Sequence, residues 1–340
     1  MFQVGIFSSY TGRAAESSGP LPSGRGSVFV SEFPVCLKFM EPILSSAREP
    51  SKSTLFGSFR TTLEMIKIEH SIFALPFALM GALLAARGLP SARQLFWIVV
   101  AMVGARSAAM SFNRLIDKEI DAKNPRTALR ALPAGTLSVR FAWSFALISS
   151  AVLLIAAYEL NSLAFRLSPL ALAILFIYSY TKRFTILSHI VLGFCLGMAP
   201  AAAWIAVRGS LSWSILLLTG AVTLWTAGFD IIYACQDVDF DSQAGLYSVP
   251  RRWGIRRALQ ISSALHLLMA FLLIWLARIE HLGWISLAGI AVAGVLLIYE
   301  HCLVKPSDLS RLNAAFFNAN GWIGFLLLLF WGVDIVFHRT

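Results

Sequence analysis

Hydrophobic residues along this chain neither alternate nor fall into amphipathic stripes. From about Ser71 onward they run together in stretches of roughly 18–24 residues, parted by short polar loops. A run of that length crosses the hydrocarbon core of a bilayer as a helix, the conformation that pairs each backbone N–H and C=O within its own segment. Nine runs are read, at about 71–88, 94–112, 139–158, 162–180, 186–206, 213–236, 257–278, 282–301 and 314–337. The pattern predicts an all-α, polytopic membrane protein built as a bundle of nine transmembrane helices.

The segment ahead of these runs is different. Residues 1–54 are rich in Ser, Gly and Pro and lack a basic start followed by an apolar core, so no secretory signal is read there. Either disorder or a start codon placed too early accounts for them, with Met40 as an alternative start. Residues 55–340 are expected to form the membrane domain. Within it, Leu55 to His70 mixes apolar and basic residues at helical spacing, which suits an interfacial helix leading into the first span.

Composition agrees with the pattern: 57% of residues are hydrophobic, 14% are charged, and the mean hydropathy is +0.72, well outside the range of soluble domains. The formal net charge of +10 does not indicate nucleic acid, because no basic, aromatic-interleaved soluble domain is present to bind it. It reads instead as topology. Lys and Arg gather in the loops between spans two and three, four and five, six and seven, and eight and nine, from Lys118 to Arg311. The opposite loops and the tail hold only Arg87, Arg93, Arg166, Arg208, Arg278 and Arg339. The first set is therefore assigned to the cytoplasmic side. The four cysteines, Cys36, Cys195, Cys235 and Cys302, show no CxxC spacing, so neither zinc nor structural disulfides are expected.

Against this background the acids stand out. Six of the eight aspartates fall into two clusters, Asp117 and Asp121 after span two, and Asp230, Asp237, Asp239 and Asp241 at the end of span six. If span two continues as a helix, Asn113, Asp117 and Asp121 recur every four residues on one face. Asp230, Tyr233, Asp237 and Asp241, stepping by three, four and four, form a second face that leaves Asp239 aside. Carboxylates beside hydrocarbon are costly unless compensated. Two such faces on one side of the membrane make a cage of hard oxygen ligands suited to Mg²⁺, with Asp117, Asp121, Asp237 and Asp241 as the expected metal ligands.

These residues resemble the UbiA superfamily of intramembrane prenyltransferases. The run Asn113-Arg-x-x-Asp117-x-x-x-Asp121 is similar to that family's first Asp-rich motif, and Asn124-Pro-Arg126-Thr127 followed by Arg130-Ala-Leu-Pro133-Ala-Gly135 is similar to the run beyond it. Asp230, Tyr233, Asp237 and Asp241 match the second motif. The resemblance extends from about Lys67 to the C-terminus. Two positions depart from it: Arg114 stands where an Asp is usual, and Tyr247 in Gly245-Leu-Tyr247-Ser stands where many relatives carry Lys.

The resemblance implies nine helices with Asp-rich loops on the cytoplasmic side, in a bacterial-type inner membrane. It also implies Mg²⁺-dependent transfer of a polyprenyl group from its diphosphate to an aromatic acceptor. Catalysis is assigned to Asp117, Asp121, Asp237 and Asp241. Lys182 and Arg183 are the first choice for the diphosphate, then Arg126 and Arg130, with Asn113, Asp230, Tyr233 and Lys67 completing the substrate set. Tyr178, Tyr180 and Tyr233 are candidates to shield a carbocation. His189, Asn313 and Asn320 are read as hydrogen-bonded packing residues.

The acceptor implied is 4-hydroxybenzoate, for a ubiquinone-type route, with a dihydroxynaphthoate of a menaquinone route as the alternative. A cation or solute transporter is the competing class, disfavoured because the acids sit at span ends rather than mid-membrane. No obligatory protein partner is inferred.

Overall fold

The computed structural model describes residues 73–312 and 319–337. Helices follow the apolar runs closely. They are α1 (Leu75–Ala86), α2 (Ala92–Ile116), α3 (Lys118–Lys123), α4 (Val139–Leu160), α5 (Ser162–Thr181), α6 (Ser188–Arg208), α7 (Trp213–Ala234), α8 (Val238–Ala244), α9 (Val249–Ile279), α10 (Trp284–Leu303) and α11 (Asn320–Phe337). Eight of them are long and apolar enough to cross a membrane, and α1 is a shorter apolar helix of 12 residues. The stretches 1–54 and 55–70, together with Met40, Cys36, Lys67 and Arg339, lie outside the described residues.

Polar residues at the expected boundaries start the helices by accepting hydrogen bonds from their unpaired N–H groups. Ser91 and Gln94 form a reciprocal capping box on α2, while Ser138, Asn161, Ser212 and Ser248 cap α4, α5, α7 and α9. Asn161 also donates to the Ile205 and Ala206 carbonyls, tying the α4–α5 turn to the end of α6. Gly254, at φ 78° and ψ 160°, breaks α9 near its start, so the continuous part of the seventh span begins beyond it, as the hydropathy pattern placed it.

Neighbouring spans pack in sequence, α2 with α4, α4 with α5, α5 with α6, α6 with α7, α7 with α9 and α9 with α10. The circuit closes where α11 packs on both α10 and α1. Phe77, Met80, Leu84, Ile215, Leu218, Trp225, Met269, Leu273, Leu327 and Trp331 fill the centre of the α1, α7, α9, α10 and α11 half. Large apolar side chains such as Leu147, Ile148, Leu267, Phe271 and Val295 remain exposed on the outside, where a bilayer would cover them. Asn320 joins helices as expected, accepting from Trp225 Nε1 at 2.9 Å and donating to Glu300 at 2.7 Å. Asp334 has a structural position, accepting from the Gly283 N–H and the Ser286 hydroxyl at the start of α10, both at 2.6 Å.

The α6–α7 contact is the tightest in its consequences. Gly193 and Gly197 face α7 so closely that a Cβ on the first would collide with the Thr223 carbonyl, and one on the second with Thr219 and Thr223. This is the small-xxx-small pattern by which membrane helices bring their backbones together. Gly193→Val is expected to destabilise the chain by about 1–3 kcal/mol, read as a lower thermal unfolding midpoint in detergent. Gly294→Ala, where a Cβ meets nothing within 4 Å, should leave the midpoint unchanged or raise it.

Candidate active site

The two aspartate faces end at the same end of the bundle and meet across one cavity of about 320 Å³. Continuity of the first face survives a break in the helix. Asp117 closes α2 and opens α3, yet its N–H bonds the Asn113 carbonyl at 2.9 Å and Asp121 N–H bonds the Asp117 carbonyl at 2.7 Å. The i to i+4 links that put the three on one face are intact. On the other side, α7 passes through a short 3₁₀ turn at Cys235–Asp237 into α8, and Asp230, Tyr233, Asp237 and Asp241 all line the cavity. Asp239 points elsewhere and is exposed.

Each mouth aspartate with an ion partner has drawn it from another segment. Asp117, 2% exposed, meets Lys182 Nζ at 2.6 Å and Arg183 at 3.2 Å, both from the end of α5, and accepts from Asn113 at 3.2 Å. Asp121 receives Arg130 NH1 on both oxygens at 2.8 Å, with Arg114 at 3.7 Å. Arg114 thus turns the departure in the first motif from a missing carboxylate into a second cation beside Asp121. Arg126 reaches from the loop after α3 to Asp237, donating through Nε at 3.0 Å and NH2 at 2.6 Å. Its guanidinium also lies 5.4 Å from the Tyr233 ring centre and bonds the Tyr233 hydroxyl at 3.2 Å. Burial alone would lower the pKa of Arg126; the hydrogen bond and charge of Asp237 outweigh it and hold the group above its ordinary value.

Asn113, Asp117, Asp121, Arg126, Arg130, Lys182, Asp230, Tyr233, Asp237 and Asp241 are therefore brought together around one space. Arg183 stands behind it, bonded to Asp117 and to the Ile116 carbonyl at 2.7 Å, with its guanidinium 5.5 Å from the centre of the Tyr180 ring. Tyr178 lines the cavity, whereas Tyr180 is 40% exposed and is not part of the wall. Lys67 and Asn313 lie outside the described residues. Among the described residues no group of three or more His, Cys, Asp or Glu is gathered as a metal cluster. The carboxylates present are hard oxygen donors held apart by cations.

Two cavity residues were not singled out as functional from the pattern. Arg106 is the one charge inside 94–112, seven residues before Asn113 and so about 10 Å deeper along α2. It lines the cavity with a buried Nε that has no hydrogen-bond partner. A charge isolated in an apolar run is itself a functional signal, so this one was available in the sequence. His189 was read as a packing residue. It is buried and hydrogen-bonded, but on the cavity wall and to Asp230, at 2.7 Å.

The fold and the site together define a helical membrane bundle with a mixed-charge cavity at one end. The sequence profile of the UbiA prenyltransferase family matches residues 74–335, and the chain belongs to that family. It is 30% identical to a 4-hydroxybenzoate octaprenyltransferase of Vibrio vulnificus, over 74% of this chain and 88% of the relative. It is 31% identical to a 4-hydroxybenzoate solanesyltransferase of Synechocystis, over 83% and 97%. Among solved structures, the apo form of a UbiA homolog from Aeropyrum pernix superposes with a TM-score of 0.73 at 36% identity, covering 79% of this chain and 99% of that one. A UbiA homolog from Archaeoglobus fulgidus bound to DMAPP and Mg²⁺ shares the fold, with a TM-score of 0.64 at 19% identity over 81% and 99%.

The Arg126–Asp237 contact bridges the loop after α3 to the end of α7. In a double-mutant cycle of Arg126→Ala and Asp237→Ala, the thermal stabilities should be non-additive by about 1 kcal/mol, and the coupling should shrink as salt is raised.

Proposed function

We propose that this chain transfers a polyprenyl group from a polyprenyl diphosphate to the ring of 4-hydroxybenzoate, in a bacterial-type inner membrane with the cavity mouth on the cytoplasmic side. The observation that carries the reading is the division of the cavity by depth. Its mouth holds aspartates interleaved with Lys182, Arg126 and Arg130, and Arg106, further along α2, lines the same cavity as Phe73, Tyr178 and Phe229. The names of the relatives supply the acceptor.

A diphosphate at the mouth would draw Lys182, Arg126 and Arg130 from carboxylates onto phosphate oxygens, where guanidinium groups bind in two-pronged fashion, while Arg183 stays behind Asp117. Asp117, Asp121 and Asp237, relieved of those partners, and Asp241 beside them are the oxygen donors that would hold Mg²⁺. When bound, Mg²⁺ supplies charge neutralisation for the departing diphosphate. The basic residues add to that stabilisation as the bond between C1 and the diphosphate oxygen breaks and its electron pair leaves with diphosphate. The isoprenoid tail is most stable in hydrocarbon, which a membrane site gives it. Aromatic faces at Tyr178, Phe73 and Phe229 line the space in which an allylic cation would form. Arg106 would take the acceptor carboxylate, exchanging a half-buried cation with an unpartnered Nε for an ion pair.

The test is to give the purified chain a polyprenyl diphosphate, Mg²⁺, and either 4-hydroxybenzoate or dihydroxynaphthoate. Prenylated 4-hydroxybenzoate and released diphosphate are expected, with turnover lost on chelation and restored by Mg²⁺. Product from the naphthoate alone would move the reading to that acceptor, and product from neither would sink it. Asp117→Ala and Asp237→Ala should each lower kcat by at least about 10²–10³ while the protein still inserts and folds. Near-normal rates would refute the assignment of these acids.

Arg106→Gln should raise KM for 4-hydroxybenzoate by about 10- to 100-fold and leave KM for the polyprenyl diphosphate unchanged. A KM change confined to the diphosphate would place Arg106 at the wrong end of the reaction.

A further inference from the structure

The cations at the cavity mouth are already engaged: Lys182, Arg183, Arg126 and Arg130 each meet an aspartate. Arg251 and Arg252, at the start of α9, are not. Neither forms an ion pair with an acid among the described residues. Both border a second hollow, of about 250 Å³, whose other lining residues are Ile186, Tyr247 and Ser248. Tyr247 and Ser248 are the wall it shares with the aspartate-lined cavity, whereas Arg251 and Arg252 belong to the second hollow alone.

Local structure makes this space and fixes one of its cations. The Tyr247 N–H donates to the Lys182 carbonyl at 2.7 Å, so the segment before α9 runs beside the end of α5, and Ile186 in the α5–α6 turn joins the same lining. Gly254 breaks α9 just beyond, which leaves Arg251 and Arg252 on a short elbow ahead of the continuous span. The Arg251 guanidinium donates to the Leu246 carbonyl and lies 5.6 Å from the centre of the Tyr247 ring. A guanidinium held through one nitrogen keeps its other N–H groups for a ligand, in the planar fork that suits phosphate oxygens. The Arg252 guanidinium has no hydrogen-bond partner among the described residues and is exposed.

Apolar side chains stand close by in the sequence on both sides of the hollow. Phe184 and Leu187, in the α5–α6 turn with Ile186, are 63% and 59% exposed, and Trp253, next to Arg252, is 41% exposed. Exposed aromatic residues beside arginines at the end of a span sit at the headgroup level of a bilayer. No carboxylate lines the hollow, so it lacks the oxygen donors that a metal-bound diphosphate requires. A phosphodiester carries a single negative charge and needs no metal.

We propose that this hollow binds the headgroup of an anionic phospholipid, its phosphate on Arg251 and Arg252 and its acyl chains beginning against Phe184 and Leu187. The site is separate from the one that handles the reactants, and it does not depend on the activity assigned to that cavity. A lipid bound there bridges the elbow of α9 and the α5–α6 turn. It thereby holds the backbone at Lys182, the residue whose Nζ meets Asp117 at 2.6 Å.

The experiment uses the full chain purified in neutral detergent and titrated with phosphatidylglycerol, with phosphatidylcholine and with inorganic diphosphate. Retained lipid is counted by native mass spectrometry, and the thermal unfolding midpoint is followed in parallel. One phosphatidylglycerol per chain should be retained in preference to phosphatidylcholine and should raise the midpoint. An arginine beside anionic lipid is worth about fivefold in affinity, so Arg251→Gln with Arg252→Gln should weaken retention about 30-fold. Arg256→Gln with Arg257→Gln removes the same charge from exposed positions that do not line the hollow, and should leave retention nearly unchanged.

Equal weakening by the two pairs reduces the effect to general surface charge and overturns the site. Equal retention of phosphatidylcholine overturns the anionic headgroup, and displacement of the lipid by an equal concentration of diphosphate makes the hollow a free-anion site instead. Should the Arg251 variant fail to fold for loss of its bond to Leu246, Arg252→Gln alone carries the test: about fivefold weaker retention is expected, and wild-type retention refutes the proposal.

Discussion

Charge compensation between segments holds the functional end of this molecule together. A carboxylate at the end of a membrane span is too costly to leave alone, and a cation from its own helix turn would satisfy it without organising anything else. Here the cations come from a distance. Lys182 and Arg183 at the end of α5 close on Asp117 between α2 and α3, and Arg126 in the following loop closes on Asp237 beyond α7. The Lys182 carbonyl also accepts the Tyr247 N–H at 2.7 Å, so the segment before α9 is bound to the same point. The end of α5 and the two Asp-bearing segments, far apart along the chain, are joined at the cavity mouth by these contacts.

A second constraint works from the interior outward. Gly193 and Gly197 bring α6 against α7 in a fixed antiparallel register, Gly197 opposite Thr219 and Thr223, Gly193 opposite Thr223 and Ala227. One turn further along α6 stands His189, and the same register carries it to Asp230. The hydrogen bond between them is thus the end of a ladder whose rungs are backbone approaches. A side chain at Gly193 would open that ladder next to the dyad, which joins packing in the apolar part of the bundle to geometry in the cavity.

These two constraints separate what could be read in the sequence from what could not. Spans and faces were legible because they are local: apolar runs locate helices, and Asn113, Asp117 and Asp121 share a face through hydrogen bonds four residues apart. Asp239 was correctly left off its face for the same reason. Arg106 was equally local, a lone charge in an apolar run, and required only that the interior be searched as closely as the ends. The His189–Asp230 contact spans 41 residues and depends on the depth to which two glycines let helices approach, which no spacing along one segment encodes. Arg126 was readable as a basic residue near the first motif, but its attachment to the second motif was not, because that depends on how the loop after α3 folds over the mouth.

The depth at which each charge sits gives the cavity its division of labour. At the mouth, acids and bases are paired and neutralise one another, so a polyanion entering there finds cations already poised within 2.6–3.2 Å of the carboxylates they would exchange. Such exchange replaces one ion pair by another and leaves no charge stranded in a low-dielectric setting. In the interior the charges are few: Arg106 with its unpartnered Nε, and Asp230 hydrogen-bonded to His189. A small ligand carrying a single carboxylate offers the complement of Arg106. On the proposed reading, polarity graded by depth would sort two chemically different ligands into two places within a single cavity.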